Sequence, residues 1–152
     1  MRPGYQVRRA VNLVNGSTLA GIAVAAMGGA RLHRASDGLL VATGYRLPVP
    51  PSSAFCLGNV IVARPEPASL LRMQSLLAHE ARHATQYACC AGLAMLPLYF
   101  LSSGASWVLT GDFGCRNIFE RRAGLADGGY RDRPLRPALG RWLARSRQDA
   151  AA

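Results

Sequence analysis

The segment Leu76-Leu77-Ala78-His79-Glu80-Ala81-Arg82-His83-Ala84-Thr85-Gln86-Tyr87 holds the pattern His-Glu-x-x-His inside a stretch of helical periodicity. On an α-helix, residues four apart stand one turn above each other on the same face. His79 and His83 can therefore aim two imidazoles at one metal ion, with Glu80 beside them. A zinc ion held in this way acidifies its bound water, and the adjacent carboxylate can take the proton as general base. The bland alternative is a solvated helix with coincidental histidines. Against it, the chain has only three histidines and eight acidic residues, and this one face uses two and one of them. The helix is expected to begin no later than Ser75 and to run to about Ala91, with Leu76, His79, Glu80, His83, Gln86, Tyr87 and Cys90 along one side.

Upstream of the helix, residues 31–63 read as a small antiparallel sheet. A Ser36-Asp37-Gly38 turn separates Arg31–Arg34 from residues 39–43, which predicts a hairpin. Pro48, Pro50 and Pro51 make the next piece a loop. Residues 55–63 then read as one β-branched, mostly apolar strand. His33 falls in the first strand, where a lone histidine is a surface residue rather than a ligand. Residues 1–9 are basic and residues 10–30 carry no charge. A basic flank before an apolar run is also the layout of a secretory signal, but Asn12, Asn15, Gly16, Ser17 and Thr18 interrupt it. A core-packing helix with Ser17 or Thr18 as N-cap accounts for the pattern.

Downstream, residues 84–111 are uncharged for 28 positions, long enough to cross a bilayer. Gly92, Pro97, Ser102, Ser103, Gly104 and Ser106 are expected to break this stretch into two apolar pieces, a buried hairpin that packs Leu93, Leu96, Leu98 and Phe100 inside. A membrane-dipping hairpin is the competing picture. A helix over 117–124 follows, then a basic tail over 126–152 with a short helix near 139–147.

The 152 residues suit a single domain, and half of them are apolar. The net charge is +10, all 18 basic residues are arginine, and nine of these follow Asp112. An arginine-rich face could meet nucleic acid or anionic lipid. No aromatic-interleaved basic stripe or nucleic-acid motif is present, so a solvated surface is the preferred reading. Cys56, Cys89, Cys90 and Cys115 contain no C-x-x-C and read as reduced, mostly buried thiols of a cytoplasmic protein.

A catalytic zinc site uses three protein ligands and a water. The candidates among the downstream carboxylates are Asp112, Glu120, Asp127 and Asp132. Glu120 is best placed, because a second helix can project it toward the first while Ala123 leaves room for close approach. Its alternative role is an ion pair with Arg116, Arg121 or Arg122.

The series Leu57-Gly58-Asn59, then His79-Glu80-x-x-His83-x-x-Gln86, then Asn117-x-x-Glu120-x-x-Ala123 resembles small bacterial zinc metallopeptidases of the gluzincin type. It is also similar to the predicted peptidase domains of contractile-injection-system proteins. The resemblance covers roughly residues 55–125. It implies zinc on His79, His83 and Glu120, with Glu80 as the catalytic base. Many gluzincins carry an aspartate four residues beyond the ligand glutamate that orients a histidine. Here that position is Gly124, so Asn117, Gln86, Asp112 or Asp127 is left to support the ligands.

The expectation is thus an α+β protein with a zinc-dependent peptidase site acting on a peptide or protein substrate. Tyr87, Tyr99 or Tyr130 is available to stabilise an oxyanion. The competing readings are a non-catalytic scaffold or membrane-associated module that keeps the helix, and an arginine-rich nucleic-acid binder. The expected location is cytoplasmic, with a membrane surface as the alternative.

Overall fold

The apolar pieces of residues 31–63 fold into a four-stranded sheet of β1 (Arg31–Arg34), β2 (Leu40–Thr43), β3 (Ala54–Leu57) and β4 (Val60–Ala63). The computed structural model describes residues 3–64 and 73–137. β1 and β2 form the expected antiparallel hairpin, with Arg31 opposite Thr43, closed by a 3-10 turn over Ser36–Gly38. The run 55–63 is two strands, not one. β3 and β4 fold back on each other at Gly58-Asn59, and Leu57 lies opposite Val60. Gly58 has φ +60, and a Cβ there would collide with the Ser17 and Thr18 backbone, so the turn requires glycine. This extra reversal sends β4 parallel to β2 and sets the order β1-β2-β4-β3. The class is α+β as expected. The sheet, however, is mixed rather than antiparallel, because a hairpin read as one strand conceals a change of direction.

The chain divides into two compact units, Met1–Pro97 and Leu98–Ala152. In the first, the sheet lies between two helices. α1 (Pro3–Val14) and α2 (Ser17–Met27) bend by 72° at their junction. α2 is the helix expected to begin at Ser17 or Thr18, and α1 is a further helix before it. Gly16, in the left-handed region, precedes α2, and Ser17 is its first residue rather than its N-cap. The reason is local: Asn15 Oδ1 accepts both the Ser17 N–H at 3.1 Å and the Ser17 hydroxyl at 2.7 Å, so that hydroxyl is turned back on the preceding loop. On one sheet face Ala25 of α2 packs with Ala42, Val60 and Val62. On the other, Leu77, Ala81 and Ala84 of α3 (Gln74–Cys89) pack with Val41, Cys56 and Ile61. All four β4 residues are buried, as a central strand covered on both faces must be.

Two buried asparagines tie this unit together. Asn12 Nδ2 donates to Asn59 Oδ1 at 3.0 Å and to the Ala84 carbonyl at 2.8 Å. Asn59 Nδ2 donates to Thr18 Oγ1 at 3.0 Å and to the Arg9 carbonyl at 3.2 Å. The pair therefore joins α1, α2, the β3–β4 turn and α3.

The second unit is built on α4 (Met95–Thr110) and α5 (Ile118–Gly124). The chain breaks near residues 90–94, but α4 then runs unbroken through Ser102, Ser103 and Gly104. Pro97 is tolerated because it lies in the first turn, where a backbone N–H has no intrahelical partner. The buried hairpin expected here is not found. Leu93, Leu98 and Phe100 are 41%, 48% and 66% exposed, and only Leu96 of the four is half-buried. The polar residues of α4 bond within the unit: Ser103 Oγ accepts from Asn117 Nδ2 at 2.8 Å, and Ser102 Oγ accepts from the Ile118 N–H at 2.9 Å. The helix expected near 139–147 lies outside the described residues.

The asparagine network yields a stability prediction. Asn12→Ala strands the Asn59 amide oxygen in a buried place and should cost about 1–3 kcal/mol. The urea midpoint should fall with an unchanged slope. An unchanged midpoint would remove these bonds from the account of stability.

Candidate metal centre

α3 presents two buried faces. Leu77, Ala81 and Ala84 sit on the sheet, and His79, Glu80, His83 and Tyr87 occupy an adjoining strip of the helix surface. His79 and His83 are 2% and 6% exposed. Their Nε2 atoms lie 3.0 Å apart, and the rings meet edge-on at 85°. The other nitrogen of His83, Nδ1, is 2.7 Å from Gln86 Oε1. An amide oxygen only accepts, so the contact suits the tautomer that carries its hydrogen on Nδ1 and leaves the Nε2 lone pair for a ligand. Gln86, one of the residues expected to support the ligands, thus touches His83 from three residues on along the same helix.

Glu80 is 5% exposed. Burial pushes the Cys56 thiol well above its ordinary range, and the Glu80 charge pushes it the same way. The Tyr87 hydroxyl is raised by burial first, then by Cys56 and Glu80. Both groups therefore remain protonated at neutral pH, and Tyr87 stays available as a hydrogen-bond donor.

In the second unit Glu120 is 3% exposed and is the third residue of α5. Its Oε1 accepts a hydrogen bond from the Tyr99 hydroxyl of α4. Tyr99 therefore positions a carboxylate, and its proton is committed there rather than to an oxyanion. Tyr130 is a neighbour of Tyr99. The ion pairs considered for Glu120 from sequence go elsewhere in two cases: Arg121 Nη1 bonds Asp132 at 3.2 Å, and Arg116 Nη2 bonds the Arg133 carbonyl at 3.4 Å.

His79, His83 and Glu120 are a group that could hold a metal ion. Each offers one ligand atom, and these atoms all lie within 4.8 Å of one another. Two of the residues expected to support the ligands do other work. Asn117 is the N-cap of α5, where Oδ1 accepts the Phe119 N–H at 2.9 Å, and its amide nitrogen bonds Ser103. Asp112 accepts the Gly114 and Cys115 N–H groups at 2.9 Å and pairs with Arg133. These bonds are the local turn chemistry that an Asx residue performs at a loop end. His33 is exposed on β1, with Nε2 3.2 Å from Thr43 Oγ1, and is no ligand. Cys56 and Cys115 are buried, whereas Cys89 is exposed and Cys90 half-buried, so the thiols are less uniformly buried than expected. A cavity of about 350 Å³ lined by Leu13, Ile22, Leu39 and Leu40 in the first unit is lined by none of the motif side chains.

Removing a ligand should release the metal. His79→Ala and His83→Ala are each expected to abolish metal retention through gel filtration, measured by elemental analysis. Gln86→Ala leaves the ligands in place but unlocks the His83 ring, and affinity against a chromophoric chelator should fall about 10–100-fold. Glu120→Ala with wild-type affinity would exclude the carboxylate from the centre. No family model, no curated protein and no solved structure matches the chain, so its own side chains carry the functional reading.

Proposed function

We propose that the protein is a minimal zinc-dependent metallopeptidase that hydrolyses peptide bonds at His79, His83, Glu120 and Glu80. The observation that carries this reading is the buried His79–His83 pair, whose Nε2 atoms are 3.0 Å apart with Gln86 holding the outer nitrogen of one ring. Two nitrogens bound to one tetrahedral zinc at about 2.05 Å would lie about 3.3 Å apart, so the pair needs little movement to serve. Two imidazoles and one carboxylate form a donor set that suits zinc and leaves a fourth position for water. Zinc, when bound, supplies Lewis-acid activation of a water and of the scissile carbonyl.

The protein's own groups supply the rest. Glu80 is the neighbour of His79 on the helix and serves as general base: it takes the proton of the attacking water and hands it to the leaving amine. Tyr87 keeps its hydroxyl hydrogen and is the tyrosine of the first unit available to an oxyanion. Tyr99 fixes the Glu120 carboxylate from outside the reacting atoms.

Glu80→Gln separates chemistry from ligation, because the amide keeps the shape and loses the base. Zinc content should be unchanged, while hydrolysis of an unfolded protein such as casein, or of a peptide library, falls by about two or more orders of magnitude. Equal hydrolysis by wild type and Glu80→Gln would sink the mechanism. Bound zinc with no hydrolysis in either protein would point to a structural metal site.

A further inference from the structure

α4 has two unlike sides. Tyr99, Ser102, Ser103, Ser106 and Thr110 recur at three- and four-residue steps and so share one stripe. That stripe is bonded to its own unit: besides the Asn117 and Ile118 contacts, Ser106 Oγ donates to the Asp112 carbonyl at 2.6 Å and accepts from the Arg116 N–H at 2.8 Å. The opposite side carries Leu101 and Val108, with Phe100, Leu98 and Trp107 at its flanks. They are 71%, 55%, 66%, 48% and 45% exposed. The helical stretch Gly92–Thr110 has a mean hydropathy of 1.4, yet only 22% of it is buried. A core helix of the same composition would be mostly buried, so this face is built to meet something apolar outside the unit.

Charge and aromatic placement identify what that is. Trp107 stacks on Phe113 at 6.1 Å, and the Arg136 guanidinium lies 4.9 Å from the Trp107 ring centre. An exposed aromatic pair capped by a cation, beside an uncharged face, has the chemistry of the bilayer interface. The chain has a net charge of +10, and nine of its arginines follow Asp112, which matches anionic headgroups. A transmembrane orientation is opposed by the polar stripe. It is bonded to a segment bearing Asp112, Arg116, Arg121 and Arg133, and a span would draw these charges into hydrocarbon.

We propose that the outer face of α4 docks into the interface of an anionic lipid bilayer, with the helix axis in the membrane plane. The surface is independent of metal binding and of the peptidase reading. The test is flotation of the full chain with phosphatidylcholine vesicles, alone or containing roughly one-third phosphatidylglycerol. The wild type should float with the anionic vesicles and largely detach from them at high salt, and it should float less with the neutral ones. The double variant Leu101→Asp, Val108→Asp changes two exposed side chains. It should keep its circular dichroism and melting temperature while its ratio of bound to free protein falls about tenfold or more. Equal flotation of variant and wild type, or no flotation of the folded wild type, would overturn the proposal. So would a lipid-free dimer by light scattering that the same variant dissociates, since the face would then belong to a second copy. Protease accessibility of the two ends of α4 from opposite sides of sealed vesicles would overturn the in-plane orientation.

Discussion

The first unit depends on the buried contact between Asn12 and Asn59. An amide in a dry interior must satisfy its donors and acceptors or incur their full desolvation cost. Here the side chains do so across four elements, and one partner is the carbonyl of Ala84, the residue after His83. The bond fixes both the axial position and the rotation of α3 on the sheet. A slip of one residue would carry Ala84 away from Asn12 and rotate His79 and His83 onto a different side. Leu77 and Ala81 provide the burial that holds α3 down, but apolar contact is non-directional and would tolerate such a slip. The asparagines supply the direction.

The histidine pair inherits that rotation, and its chemistry then follows from its neighbours. Gln86 Oε1 lies against Nδ1 of His83, which favours the hydrogen on that nitrogen. Gln86 reaches the outer nitrogen of His83 from within the motif helix, one turn along. Glu80 shares its surroundings with a thiol and a phenol that both keep their protons. Each is a neutral hydrogen-bonding group within electrostatic reach of that carboxylate.

The second unit solves a different problem with a single helix. Serine and threonine on one stripe of α4 satisfy the backbone of the loop that leads into α5, through Ser102 to Ile118 and Ser106 to Arg116. Such hydroxyls usually weaken a helix by competing for its own carbonyls. Thr110 does bond the Ser106 carbonyl of its own helix, but Ser102, Ser103 and Ser106 bond outward, which lets a short helix such as α5 start at a fixed place, with Asn117 as its cap and Glu120 in its first turn. Glycine at 104 and alanine at 105 face away from this stripe and add no polar group to the apolar side.

The sequence by itself determined the features that depend on neighbours within a few residues. The i, i+4 spacing placed His79 and His83 on one helix face, the Ser36-Asp37-Gly38 turn produced the β1–β2 hairpin, and Glu120 lay on a helix as its flanking residues required. Gly58-Asn59 between two apolar runs was also a readable hairpin turn, and treating 55–63 as one strand missed it. Only the tertiary structure decided the rest. Asn12 had no local signature of importance, since its partners lie 47 and 72 residues away. The parallel pairing of β2 with β4, and the commitment of the Tyr99 hydroxyl to Glu120, are likewise set by contacts between distant segments. The same holds for α4: hydropathy marks its residues as apolar, but burial is a property of what packs against them, and composition along the chain carries no record of that.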